Sequence, residues 1–488
     1  MNMILFLTLL TIIVLILIII CIKTAIIQKK ERQLSKQSND CQVNEYLGYN
    51  SKEPIEALTG AITFETVSYK DPTLTDWKEF DKLHSYLKKC FPLVFEQLSY
   101  HCDTPHNLIF KFEGNNPSKK PILLTAHQDI VPAEASSWDT PPFKGTQKDG
   151  YLYGRGSFDV KILVITILQS FEELLRKGEK PSRTVFAAFG CDEEASGDNG
   201  AILIAKQFKK EGIEFEMVLD EGGAVAEDYL KGIDKPITAI GIAEKGYLDL
   251  KLTRVKNGGH SSTPNFPTAM GEIAEAVFKI EKHPMKKRIT PPIKDLINTL
   301  GKSASFPMGV LFLNQRITSP IIKRAFGKGA TTRALISTTI TPTMIKGSTA
   351  PNVIAKEAHA ILNSRILPGD DENVVINHIK NIIKNDNITI EVLNYKPPCS
   401  ISPTGTPAWN TLTKTIKRTF PDAITTSFLM MGATDAKNYQ NVCENVYRFE
   451  PCQMNQTEIG KMHNDNERIS FENIHNATKF YLDLITTF

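Results

Sequence analysis

Residues 184–223 read TVFAAFGCDEEASGDNGAILIAKQFKKEGIEFEMVLDEGG, and this stretch decides the fold class. Thr184–Phe189 is a short apolar run without alternation, as in a strand buried on both faces. Asn199–Glu211 reads as a helix and Met217–Asp220 as a second apolar strand. Strand, helix and strand in succession imply a crossover between parallel neighbours. The same order precedes it. Asn107–Phe112 and Pro121–Thr125 read as strands, and Trp77–Cys90 and Ile162–Lys177 as helices. The expectation is an α/β domain on a largely parallel sheet, in which ligands bind beyond the carboxyl ends of the strands.

The pattern changes near Glu244. Tyr247–Leu252 reads as a strand and Pro267–Lys282 as a helix, followed by a long stretch containing Pro and Lys. Ala334–Thr341 and Ala358–Leu362 read as further strands, and Gly369-Asp370-Asp371 closes the block. Residues 245–365 are therefore expected to form a smaller α+β domain inserted into a main domain of residues 56–244 and 366–488. Residues 33–55 are polar and read as a spacer.

Ahead of the spacer, Met3–Ile22 contains no charged residue. About 20 apolar residues span a bilayer as a helix, whereas a cleaved signal has an apolar core of about 7–15 and a small-residue cleavage site. Cys21-Ile22-Lys23-Thr24 is a poor cleavage site, so residues 1–32 are expected to be a single-pass transmembrane anchor with a basic flank. Lys23, Lys29, Lys30 and Arg32 follow the helix and, by the positive-inside rule, favour a cytoplasmic bulk. Sequons at Asn387, Asn455 and Asn476 favour the lumen if used.

The 57 Lys and Arg nearly balance the 54 Asp and Glu, for a net charge of +3 over 488 residues. That balance, with no basic tail, argues against a nucleic-acid partner. The eight cysteines include no C-x-x-C pair, so neither a zinc ribbon nor a thioredoxin-type motif is supported. H-E-x-x-H, G-x-S-x-G and a strand-borne Rossmann glycine pattern are also missing from the sequence.

What remains is a series of His, Asp and Glu at strand ends. His127-Gln128-Asp129 follows the strand Pro121–Thr125; two side chains two residues apart on extended backbone point the same way. Asp159 closes Gly154-Arg155-Gly156-Ser157-Phe158-Asp159, at the start of a helix. Asp192-Glu193-Glu194 follows Thr184–Phe189, and three adjacent carboxylates repel one another unless a cation sits among them. Asp220 ends its strand, and His463 lies in the polar turn before the last helix. Jointly, His127, Asp159, Glu194, Asp220 and His463 supply two imidazoles and three carboxylates, a ligand set for two borderline metals.

The chain resembles the family of dizinc peptidases and deacylases that includes aminoacylase, carboxypeptidase S and the N-acyl amino acid hydrolase/synthase. The likeness runs from residue 55 to 488 through PILLTAHQDIVPA, WDTPPFKG, GRGSFDVK, DEEASGDNGA, DEGG, GGHSSTP, NSRILPG and MHNDNERI. It is strongest to the carboxypeptidase S and N-acyl amino acid hydrolase branch. The resemblance implies two Zn2+ per chain, with Asp159 bridging, His127 and Asp220 at one ion, and Glu194 and His463 at the other. It makes Asp129 the residue that orients His127 and Glu193 the general base. It also places His260 at the oxyanion, and Asn352 and Arg365 on the substrate. It further implies that the inserted block is a lid and dimerisation domain, giving a homodimer, and that the catalytic domain is lumenal (vacuole or lysosome) or extracellular. The expected substrates are small peptides or N-acyl amino acids with a free carboxylate. Val160, Gly432-Ala433, Lys437 and Asn464 depart from the family's usual residues around the pocket, which weakens any transfer of substrate preference. The competing reading is a catalytically inactive, membrane-tethered binding protein of the same fold.

Overall fold

The computed structural model describes residues 2–37, 49–195, 197–228, 230 and 232–488. Residues 38–48 of the expected spacer lie outside the described residues, and the helix Lys52–Ala61 begins inside its last part.

A ten-stranded sheet carries the main domain. Its centre is Val185–Gly190, Ile122–His127 and Met217–Asp220, parallel to one another, with Val446–Arg448 parallel to Met217–Asp220. The register sets Ile122 against both Val185 and Met217, and His127 against Gly190. The carboxyl ends of these strands therefore share one rim. All residues of the three central strands are buried, which explains the unbroken apolar runs. The sheet is mixed: Leu108–Phe112 pairs antiparallel with Val185–Gly190, and Val446–Arg448 runs antiparallel to Ile237–Glu244.

The helix Lys161–Arg176 is buried along nearly its whole length, and packs against the C-terminal helix Phe471–Thr487 in the main core. Ser470 caps that last helix by accepting from the Asn473 amide at 3.1 Å. Helix Trp77–Cys90 begins in the same way, with Asp76 accepting from Lys78 N at 3.1 Å. Both caps satisfy amides that the first turn leaves without partners.

A second, antiparallel sheet orders Thr339–Lys346, Glu357–Ile366, Gly246–Val255 and Thr389–Lys396. Leu248, Leu250 and Leu252 alternate with more exposed residues, and pack with Ile273, Ile280 and Ile379 from the helices Ala269–Lys282 and Glu372–Ile383. The fourth strand comes from beyond the 245–365 block.

The stretch after His283 departs most from expectation. It forms four helices, Pro291–Ser303, Phe306–Leu313, Gln315–Phe326 and Ala330–Ile336. The expected strand Ala334–Thr341 straddles the end of the last helix and the start of Thr339–Lys346. Ile293, Ile297 and Leu300 pack with Ile237 and Leu429 of the main sheet, so these helices sit on the main domain.

The N-terminal helix runs from Asn2 to Gln37, and Leu5–Gln33 is long and apolar enough to cross a membrane. From Leu5 to Ile19 every residue is exposed, whereas Ile20, Thr24 and Gln28 are buried on one stripe.

Candidate active site

His127 ends its central strand, so its imidazole stands at the rim. Its Nδ1 faces the Asp129 backbone carbonyl at 3.0 Å, and its Nε2 faces Asp159 Oδ1 at 3.1 Å and Glu221 Oε1 at 3.5 Å. An imidazole held through one nitrogen presents the other in a fixed direction. Asp129 Oδ1 is 3.4 Å from His127 Nδ1, but this carboxylate does more than orient the ring. It accepts from the amides of Glu193 and Glu194 at 3.1 and 3.0 Å, and from Ser68 Oγ at 2.5 Å. Fully buried, it fixes the acidic loop after Val185–Gly190.

Asp159 is the hinge of the cluster. One oxygen faces His127, and the other lies 2.9 Å from His463 Nε2. That same His463 nitrogen is 3.0 Å from Glu194 Oε1. His463 adopts a left-handed backbone with φ of 59°, an uncommon conformation for a residue with a side chain. Behind Asp159, the buried Glu467 accepts from the amides of Phe158 and Asp159 at 2.8 and 3.1 Å, and from Arg155 at 2.7 Å. This holds the loop that presents Asp159.

Each imidazole Nε2 thus points between two carboxylates, Asp159 and Glu221 for His127, and Asp159 and Glu194 for His463. A single N–H serves one acceptor well. A divalent cation in each position would satisfy the ring lone pair and both oxygens together. Ligand atoms of His127, Asp159 and Glu194 lie within 4.8 Å of one another, a group that could hold a cation. A Glu193 oxygen also lies within 4.8 Å of ligand atoms of His127 and Glu221.

The electrostatics follow from this crowding. Burial pushes the Glu221 carboxyl up to about 8, and raises Glu193 well above the usual carboxylate range with help from the Glu221 charge. Burial likewise raises Asp435 and Glu450. Burial also opposes the charge on His127, but Glu221, Asp129 and Asp159 outweigh it and hold the imidazole well above its ordinary value. His463 is held up to about 10 by hydrogen bonds to Asp159 and Glu194. An excess of buried carboxyls around two imidazoles is an environment that favours added positive charge.

Asp220, expected among the ligands, is not gathered into this centre. It is the last residue of a strand buried on both faces, paired in register with Arg448, while the next residue, Glu221, reaches over the rim to His127. Asp220 Oδ2 is buried without a hydrogen-bond partner, and burial raises its carboxyl to about 6. The Arg448 beside it donates to Glu244 at 2.6 Å.

His260, Asn352 and Arg365 lie on or beside the second sheet. His260 is exposed, pairs with Val353, and has its Nδ1 2.7 Å from Ser262 Oγ. The Asn352 backbone carbonyl accepts from the Ser261 amide at 3.1 Å, so His260 and Asn352 share one ribbon. The Arg365 guanidinium lies 5.0 Å over the Tyr247 ring.

A cavity of about 200 Å³ with an almost wholly apolar wall adjoins the centre. It includes Phe158, Gly222 and Met462, the chain neighbours of Asp159, Glu221 and His463. From there it extends past Ala239 and Leu296 to Phe326 and Thr332.

The model of peptidase family M20/M25/M40 matches residues 123–487. A probable carboxypeptidase S-like protein 2 of Dictyostelium discoideum is 37% identical over 439 residues, covering 89% of this chain and 84% of that protein. The N-fatty-acyl-amino acid synthase/hydrolase PM20D1 of Xenopus tropicalis is 35% identical over 453 residues, covering 92% and 88%. In fold, the chain is similar to the M20 family metallo-carboxypeptidase Sso-CP2 of Sulfolobus solfataricus, with a TM-score of 0.63, 18% identity, and coverage of 89% and 98%.

Proposed function

The chain belongs to peptidase family M20/M25/M40 and is a hydrolase, and from that premise we propose that it cleaves, and in reverse forms, the amide bond of N-acyl amino acids with two zinc ions per chain. One observation carries the choice over short peptides: the apolar cavity opening beside Phe158 and Met462 has a wall suited to an alkyl chain and offers almost no partner for a peptide backbone.

His127, Asp159 and Glu221 would hold one ion, and His463, Asp159 and Glu194 the other. Bound zinc supplies Lewis acidity and lowers the pKa of water toward neutrality. Glu193, adjacent to both sets, takes the proton of the attacking water and returns it to the departing nitrogen. Asp129 keeps His127 and the Glu193–Glu194 amides in place. The ribbon bearing His260 and Asn352 belongs to the second-sheet unit. We assign it, with Arg365, to the oxyanion and to the substrate carboxylate, reached from a second copy of the chain or by closure of that unit. A guanidinium suits a planar carboxylate. The N-terminal helix stays in the membrane, with the catalytic domain on the lumenal or extracellular side.

The test is a panel of dipeptides against N-acetyl, N-octanoyl and N-oleoyl amino acids. Long acyl chains should be preferred, and Glu193→Gln should lose about 10²–10⁴ in rate while keeping its metal. Dipeptides turned over faster than every acyl amino acid would reverse the substrate assignment.

A further inference from the structure

The N-terminal helix does not leave the domain as a free tether. Thr24 accepts from the Asn314 side chain at 3.2 Å, and Gln28 donates to the carbonyls of Gly301 and Ala304, each at 3.0 Å. Ile20, Thr24 and Gln28 fall at intervals of four, one stripe of a helix, and all three are buried. The uncharged run ends at Ile22. Thr24 is two residues beyond it, about 3 Å along the axis. Asn314 immediately precedes the helix Gln315–Phe326, so this second helix begins level with the end of the apolar run.

The outer face of Gln315–Phe326 is built the wrong way round for water. Thr318 and Ile322 face inward and are buried, while Ile317 and Ile321 are 60% and 55% exposed, with Pro320 exposed beside them. Arg316 borders that stripe at its side and Arg324 at its C-terminal end, one turn beyond Ile321 on the same face, and both are exposed. A helix of a soluble domain puts its apolar stripe inward; apolar residues outward with flanking arginines are the pattern of a helix lying in a membrane interface. Phe306, at the start of the preceding helix, adds a further exposed ring. Charge agrees. Residues 291–336 hold seven Lys and Arg and a single acid, Asp295, in a chain whose charges otherwise nearly balance. Lipid phosphates at the headgroup level are partners for such a segment.

The inner side of these same helices walls the apolar cavity, through Leu296, Leu300, Phe326 and Leu335. One layer of helices therefore has the cavity on one side and the apolar, basic surface on the other. We propose that the helix Gln315–Phe326 lies in the headgroup layer of the leaflet that the N-terminal helix enters, and that this seating holds the outer end of the cavity against lipid. An acyl chain dissolved in that leaflet then reaches the catalytic centre without crossing water. The inference rests on the reading that the N-terminal helix remains in the bilayer.

The full chain, in nanodiscs of phosphatidylcholine and phosphatidylserine, provides the test. A benzophenone amino acid is placed singly at Ile16, Ile317, Ile321 or Leu393, all exposed positions, and adducts are identified by mass. Lipid adducts are expected from positions 16, 317 and 321 and not from 393 on the second sheet. Adducts from 16 with none from 317 or 321 would overturn the seating while sparing the anchor. No adduct from 16 would remove the anchor and the proposal with it. Equal labelling at 393, or adducts from 317 and 321 to a second copy of the chain, would also overturn it. The readout is an adduct and not turnover, so a failure of the acyl-amino-acid assignment is seen separately.

Discussion

Narrowing the apolar cavity at Ala239 offers the sharpest probe of substrate class. The cavity is about 200 Å³, room for about seven methylene-sized groups if each takes roughly the 30 Å³ of a liquid water. At about 0.8 kcal/mol per buried methylene, acyl chains should gain up to about 5.6 kcal/mol on filling it. The specificity constant should therefore climb from acetyl to octanoyl and flatten toward oleoyl. Ala239→Leu adds three carbons to the wall and removes room for about three methylenes. The loss is then about 2.4 kcal/mol, close to 60-fold in kcat/KM for octanoyl and oleoyl substrates. The acetyl substrate, too short to enter, should change less than about threefold. The assay is kcat/KM for the three N-acyl forms of one amino acid, on wild type and variant with matched metal content. An equal loss on the acetyl form, or no loss on the oleoyl form, would refute the placement of the acyl chain in this cavity.

The two carboxylates at the end of Met217–Asp220 can be told apart by metal analysis. Glu221→Gln should lose about one ion per chain, and Asp220→Asn should keep both; the opposite result would restore Asp220 as the ligand. Within the second-sheet unit, Glu272 accepts from Arg254 at 2.6 Å, foremost, and from Lys256 at 2.8 Å, which lowers its carboxyl to about 2. A folded-state value below the unfolded one gives stability that is present above about pH 4.5 and lost as pH falls toward 2. Glu272→Gln should thus destabilise by about 1 kcal/mol at neutral pH, by denaturant midpoint, with the difference shrinking below pH 4.5; a gap that persists at pH 2 would contradict the assignment. For topology, Asn387 is the exposed sequon. A lumenal or extracellular domain should show a glycosidase-sensitive mass shift that Asn387→Gln removes, and an unglycosylated chain from a eukaryotic host would favour the cytoplasmic side.

Much of this architecture could be read from residues in order. The central strands are apolar runs because both faces are covered, and the His and acidic residues at their ends mark the rim. The same burial hid the Asp220–Glu221 distinction. With no alternation along Met217–Asp220, nothing told which of two adjacent acids leaves the strand and turns to the centre. Glu467 was likewise hidden in a polar run, since its work is to hold the amides of Phe158 and Asp159 from more than 300 residues away. The helices of residues 291–336 escaped because Pro, Thr and Ile weaken the helical pattern there, and because the apolar residues are split between a face toward the cavity and an outer one. Proline at the start of Pro291–Ser303 was the available signal.

X-ray anomalous scattering at the zinc edge, on crystals of the purified chain, addresses the shared carboxylate directly. Two peaks about 3.5–4 Å apart, one on each side of Asp159, are predicted, with Glu221 and His127 at the first and Glu194 and His463 at the second. A single peak, or density away from Asp159, would contradict a two-ion centre.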